Sequence, residues 1–172
     1  MDFNAVFLVN DIDNIEPDFY NVVNTPRKID LAIPIIVGNN RDIIGFFESG
    51  WDALESWGRW TDGERAVLDM KLSAVPNSDL LVTFEANIFA TKGDLKFLVS
   101  VNGAPVGDFS LPTGRQTISI SVPKDNVIGN NDELKIVFDI KNPMSQAQAG
   151  VSVDARTIGI GLVSFVVKSV GK

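Results

Sequence analysis

The sequence predicts an all-β fold, a two-sheet antiparallel β-sandwich of jelly-roll type. Three observations carry that expectation. Five segments alternate apolar and polar residues with period two, as half-buried antiparallel strands do. Turn residues separate these segments at spacings of about 10–15 residues. No segment shows the apolar period of a helix.

In chain order, MDFNAVFLVN at 1–10 has no basic region and too short an apolar run for a signal peptide. Residues 11–28 are acidic and Asn-rich and carry Pro17 and Pro26. The organisation expected is therefore an irregular N-terminal leader or arm over 1–28 and a sandwich domain over 29–172. LAIPIIV at 31–37 holds Pro34, which suits an edge strand or a bulge. IIGFFES at 43–49 is expected as a strand following the turn residues Gly38, Asn39 and Asn40. After a Gly/Trp-rich stretch at 50–63 the alternation begins. Ala66, Leu68, Met70 and Leu72 share one face, and so do Leu80, Val82, Phe84, Ala86 and Ile88. Leu95, Phe97, Val99 and Val101 follow, then Ile118, Ile120 and Val122, then Leu134, Ile136, Phe138 and Ile140. Asn102-Gly103 stands where a type I′ hairpin needs two residues at positive φ. RTIGIGLVSFVVKSV, the last segment, is apolar on both faces. It predicts a strand covered on both sides, with close backbone approach at Gly159 and Gly161.

Composition narrows function by exclusion. A chain of 172 residues, 45% hydrophobic and 22% charged, suffices for one globular domain with its own core. With no Cys there is neither a disulfide framework nor a thiolate site, and with no His the commonest general base and zinc ligand are missing. Fifteen Lys and Arg against 22 Asp and Glu leave a formal charge of −7, unsuited to nucleic acid or anionic membranes. No apolar run reaches the roughly 18 residues of a spanning helix, so a soluble chain is expected. A binding or structural domain fits this composition better than an enzyme.

The unusual segment is GWDALESWGRWTDG at 50–63. It contains all three tryptophans, Trp51, Trp57 and Trp60, with Glu55, Arg59 and Asp62 between them. An extended 57–60 puts Trp57 and Arg59 on one face and Trp60 on the other. Two readings compete. In one, an aromatic face stacks on sugar rings while carboxylates and a guanidinium hydrogen-bond the hydroxyls. In the other, Trp51 and Trp60 cap the core, with Arg59 stacked on an indole and paired to Glu55. Asp154 and Arg156, two apart, are expected to form a charged pair, and Arg59, Glu55, Asp154 and Arg156 a network tying the Trp segment to the last strand. Glu48, Asp52, Glu55 and Asp62 are the acids available to a glycosidase mechanism, but no spacing singles out a pair. Asn130-Asn131-Asp132-Glu133 is expected as a solvated turn rather than a calcium loop. No P-loop, dinucleotide fingerprint, nucleophile elbow or metalloprotease motif is present.

GWDALESWGRWTDG resembles the G-W-x-x-x-E-x-W-G-x-W-[ST]-[DN]-G signature of a bacterial β-sandwich domain. Val99-Ser100-Val101-Asn102-Gly103-Ala104-Pro105-Val106-Gly107 is similar to its V-x-V-N-G-x-x-[VL]-G hairpin. Ser152-Val153-Asp154-Ala155-Arg156-Thr157-Ile158-Gly159-Ile160 resembles its closing S-x-D-x-R-x-[LI]-G-[IL], and Asn142-Pro143-Met144-Ser145 its N-P-x-S. The likeness runs in order over about residues 36–168; the leader departs from it. Domains of this kind are appended to bacterial glycosyltransferases, phosphoglycerol transferases and other proteins of surface-polysaccharide assembly. The resemblance implies a non-catalytic accessory module, binding an oligosaccharide or polysaccharide and partnered by a glycosyltransferase, with no cofactor and no metal.

The expected ligand contacts are Trp57, Arg59 and Glu55, with Trp51 and Asp62 shaping the loop and Asp154 and Arg156 supporting it. The alternatives are a structural or protein-interaction module without a ligand and, least expected, a small carboxylate-based polysaccharide-processing enzyme.

Overall fold

A computed structural model describes residues 27–171. The leader expected over 1–28 lies outside the described residues except for its last two positions. Along the chain run β1 (Lys28–Ile29), β2 (Ile35–Ile36), a 3-10 helix (Arg41–Phe46), β3 (Phe47–Ser49), β4 (Trp51–Leu54) and β5 (Arg59–Thr61). The long strands come next: β6 (Arg65–Leu72), β7 (Leu80–Ile88), β8 (Leu95–Val101), β9 (Ala104–Leu111) and β10 (Gly114–Val122). A short helix α1 (Lys124–Ile128) precedes β11 (Glu133–Ile140), β12 (Met144–Ser145), β13 (Thr157–Ile158) and β14 (Ile160–Ser169).

These strands build the two-sheet sandwich. The first sheet has the order β1-β6-β11-β8-β9, with β3 also pairing with β6; the second has β10-β7-β14-β5-β4, with β2 on β14. Only β1 joins its neighbour in parallel, Lys28 opposite Lys71; the remaining pairings among the described residues are antiparallel. Period-two alternation explains the core directly. The inward residues of β6, β7, β8, β10 and β11 named from the sequence are all buried. Phe84 of the second sheet meets Phe138 of the first edge-to-face at 5.4 Å, so aromatic contacts stitch the sheets together.

Elsewhere the structure differs from expectation where the chain leaves the period-two strand for a turn. Residues 43–46, expected in a strand, lie in the 3-10 helix, and only Phe47–Ser49 is extended. Ile43 and Phe46, three apart and both buried, fall on one side of a three-residue turn. Asn40 starts it, its Oδ1 accepting from the Asp42 N–H at 3.2 Å. The strand expected over 31–37 shrinks to Ile35–Ile36 on the edge of β14, with a turn before it at Ala32 (φ 64°). The one-turn α1, which buries Val127, is too short to leave a periodic signal.

Two turns depend on residues free to take positive φ. Asn102 and Gly103 have φ of 50° and 82°, as the I′ hairpin requires. Gly50 (φ 74°) is the corner at which the chain leaves β3 in the first sheet for β4 in the second. A side chain there would also collide with the Arg65 carbonyl.

Candidate functional site

The Trp segment forms a hairpin on the edge of the second sheet. In it Trp51 faces Thr61 and Leu54 faces Arg59, with an irregularity between these pairs. The Glu55 N–H donates to the Gly58 carbonyl at 2.9 Å and closes the turn, while the Asn39 N–H donates to the Glu55 carbonyl at 3.0 Å. On its other edge β5 joins β14, with Trp60 opposite Gly161 and Arg59 opposite Leu162. Thr61 is fully buried, and its Oγ1 accepts from the Ile160 N–H at 3.0 Å, pinning the hairpin to the start of β14.

The three indoles divide into two environments. Trp51 turns inward: its Nε1 donates to the Val67 carbonyl at 2.8 Å, and its ring stands edge-on to Phe47 (4.9 Å) and Phe138 (6.1 Å). Trp57 and Trp60 pack against each other edge-to-face, 5.1 Å between centroids, and both lie over Gly161. Ile160 and Leu162, on either side of Gly161, belong to the core. By strand alternation Gly161 opens onto the outer surface, and the indole pair lies on the solvent side. The expectation that Trp57 and Trp60 take opposite faces is corrected. They share one because the turn at 55–58 interrupts the extended run, and regular β5 begins only at Arg59.

Beside the pair, one guanidinium gathers three carboxylates. Arg156 binds Asp154 through Nε (2.9 and 3.0 Å) and Nη2 (2.6 Å), and its Nη1 reaches Asp52 (2.7 Å) and Glu55 (3.1 Å). The second oxygen of Glu55 accepts from Trp57 Nε1 at 2.8 Å, so the chain of contacts runs from Arg156 to the indole. Asp154 is delivered by a compact loop in which its carbonyl accepts from the Ala147 N–H (2.8 Å) and its N–H donates to Ser152 Oγ (3.1 Å). Hydrogen bonds from Arg156 hold the Asp154 carboxyl below the usual aspartate range. The bonds to Asp154, then Asp52 and Glu55, raise the Arg156 pKa further above its ordinary value. Three carboxylates around one guanidinium leave a formal excess of two negative charges.

Arg59 departs from the expected network. Glu55 pairs with Arg156 and not with Arg59. The Arg59 guanidinium lies 4.8 Å over the ring of Phe47 rather than on an indole, and its Nε donates to the Asp52 carbonyl. Burial lowers its pKa, with Asp52 opposing. Asp62 is exposed on the turn before Gly63, its N–H donating to the Gly50 carbonyl at 2.8 Å. Glu48 sits apart on the first sheet, bridged to Lys135 at 2.8 Å. Asn131 and Asp132 occupy a turn at positive φ. Among the described residues no group of three or more acidic side chains is arranged to hold a metal ion.

Residues 28–169 match the family described as domain of unknown function DUF7024. The chain belongs to that family. No curated protein is similar enough in sequence to count as a relative. Among solved structures, this DUF7024 domain is similar to the mosquito-larvicidal Cry4Aa toxin of Bacillus thuringiensis (TM-score 0.52, 8% identity), over 86% of this chain and 25% of the toxin chain. It thus spans about a quarter of that protein. It is also similar to a family 6 carbohydrate-binding module (TM-score 0.45, 10% identity, 85% of this chain and 99% of that one). A third is the module CBM36 in complex with calcium and xylotriose (TM-score 0.43, 12% identity, 79% and 99%). At 8% identity the likeness to the toxin is one of fold alone.

Two residues of this candidate site, Asp52 and Trp60, are not among the ligand contacts expected from the sequence. Asp52 meets Arg156 across 104 positions, and nothing local marks it. Trp60 has a local signal in retrospect, since a glycine inside an apolar strand marks a close approach, and Gly161 is its register partner.

Proposed function

We propose that the domain is a non-catalytic carbohydrate-binding module whose platform is the Trp57–Trp60 pair. The observation that carries this reading is an edge-to-face indole pair on the solvent side of a sheet, beside a fixed wall of carboxylates. Indole faces stack on the apolar faces of pyranose rings, and carboxylates accept from the ring hydroxyls. The bond from Trp57 to Glu55, and from Glu55 to Arg156, sets the indole's orientation before any ligand arrives, which lowers the ordering cost of binding. Trp57, Trp60 and Glu55 are the sugar contacts. Trp51, Arg59 and Asp62 shape the loop, and Asp154 and Arg156 hold the wall in place. The local excess of negative charge and the overall −7 favour a neutral glycan over an anionic one. The resemblance of the Trp and Asp-x-Arg segments extends the proposal to bacterial surface polysaccharide, with the domain as an accessory of a glycosyltransferase.

The test is affinity electrophoresis through gels containing neutral polysaccharides, comparing wild type with Trp57→Ala and Trp60→Ala. Both variants keep their thermal unfolding transition and lose retardation. Unchanged retardation in both sinks the assignment. A second reading, a protein-interaction module, draws on Val151 and Val153, which are 64% and 98% exposed on the loop leading to Asp154. It predicts that Val153→Ser weakens association with a parent transferase while Trp57→Ala leaves it unchanged.

A further inference from the structure

We infer that the binding surface continues from the indole pair across the outer face of the second sheet. Its ligand is then an extended neutral glycan chain crossing the strands, not a single terminal sugar. The inference rests on the reading of the indole pair as a sugar platform. Strand register supplies the geometry. Trp60 of β5 stands opposite Gly161 of β14, Gly161 opposite Asn87 of β7, and Asn87 opposite Arg115 of β10. The adjacent row sets Glu85 opposite Thr117, and the next sets Thr83 opposite Ser119. The inward neighbours of these residues on β7 and β10, Phe84, Ala86, Ile118 and Ile120 among them, are buried, so the named polar side chains point outward.

The chemistry of this face suits hydroxyl-rich ligands. Thr117 Oγ1 donates to Glu85 Oε1 at 2.7 Å and Arg115 Nε to Glu85 Oε2 at 3.3 Å, so the one carboxylate in these rows has its charge balanced locally. Thr83 and Ser119 hydroxyls meet at 3.2 Å. Asn87 takes part in none of these bonds and stands half-buried between the indoles and Arg115, with both a donor and an acceptor to offer. Short hydroxyl side chains along β10 leave a low floor beside the raised indoles. Three strand spacings from β5 to β10 amount to about 14 Å, the length of roughly three pyranose units. A peptide added as a strand would need a free backbone edge, whereas this surface offers side chains.

The experiment titrates neutral β-gluco-, manno-, galacto- and rhamno-oligosaccharides of increasing length, read by calorimetry and by the indole N–H signals. Wild type, Asn87→Ala and Thr117→Val are compared. Wild-type affinity for one series rises by about tenfold or more from disaccharide to tetrasaccharide. Each variant loses about three- to tenfold for the tetrasaccharide, with disaccharide affinity and unfolding temperature unchanged. Indole shifts with length-independent affinity, or variants that bind the tetrasaccharide like wild type, overturn the extended surface and leave the platform standing. No indole shift with any series overturns the platform and the extension with it.

Discussion

Adding one methyl group at Gly161 perturbs the indole pair without removing either ring. A Cβ there would stand 2.7 Å from Trp57 Cη2 and 2.8 Å from Trp60 Cζ3. Carbon atoms pack at about 3.5 Å or more, so both rings must retreat by roughly 0.8 Å. Overpacking costs about 1–3 kcal/mol in a closed core, and this site lies toward the low end because both rings can move outward. Replacing glycine also restricts the unfolded chain, which offsets about 0.4–1 kcal/mol. The net loss in Gly161→Ala is about 1 kcal/mol, a fall of roughly 2–4 °C in Tm for a domain of this size. The informative readout is the set of indole N–H signals. Trp57 and Trp60 shift in the variant, while Trp51, bonded to the Val67 carbonyl inside the sandwich, does not. An unchanged pair of signals together with a raised Tm would refute the packing of both indoles on Gly161.

Three other substitutions test the surroundings of the site. Thr61→Val leaves the Ile160 N–H buried without its acceptor, a loss of about 1–3 kcal/mol that lowers Tm by roughly 2–12 °C in calorimetry. Arg156→Gln flattens the acid limb of stability. The Asp154 carboxyl is held below its ordinary 3.8 in the folded state, so its contribution is complete above that value and disappears as pH falls through the lower one. Unfolding temperatures across that range therefore fall steeply in wild type and less steeply in the variant. Asp69 has the opposite sign. Burial, with Glu133 and Glu48 nearby, raises its carboxyl above 3.8 against the opposing pull of Lys135, and its Oδ1 is buried without a hydrogen-bond partner among the described residues. Asp69→Asn accordingly raises Tm at neutral pH, and the gain vanishes below the ordinary aspartate pKa.

The sandwich was legible because a strand with one wet face and one dry face writes its orientation into alternate residues. The run Leu80 to Ile88 is the clearest case, and all five of its alternate apolar residues are buried. Alternation misled where the backbone left the extended state without a change of composition. Ile43 and Phe46 obey a three-residue turn, and Ser56–Gly58 form a corner that swings Trp57 onto the side of Trp60. The Asp154–Arg156 pair was visible from spacing alone. Its partnership with Glu55 was expected as well, but that with Asp52 was not, because Asp52 comes from a hairpin more than a hundred residues earlier and no spacing singles it out. Contacts of that range depend on how the two sheets are threaded, and no local pattern encodes threading.

We propose the outward indole pair as the sugar platform, with the inward Trp51 part of the core. All three tryptophans lie within residues 51–60, so an indole N–H spectrum reports on the site with little background. Titrating the domain with bacterial surface oligosaccharides while following the three signals distinguishes the two roles. Saturable shifts of Trp57 and Trp60 with one glycan class, and a stationary Trp51, are the predicted result. Three stationary signals across the panel, or a shift confined to Trp51, would contradict it.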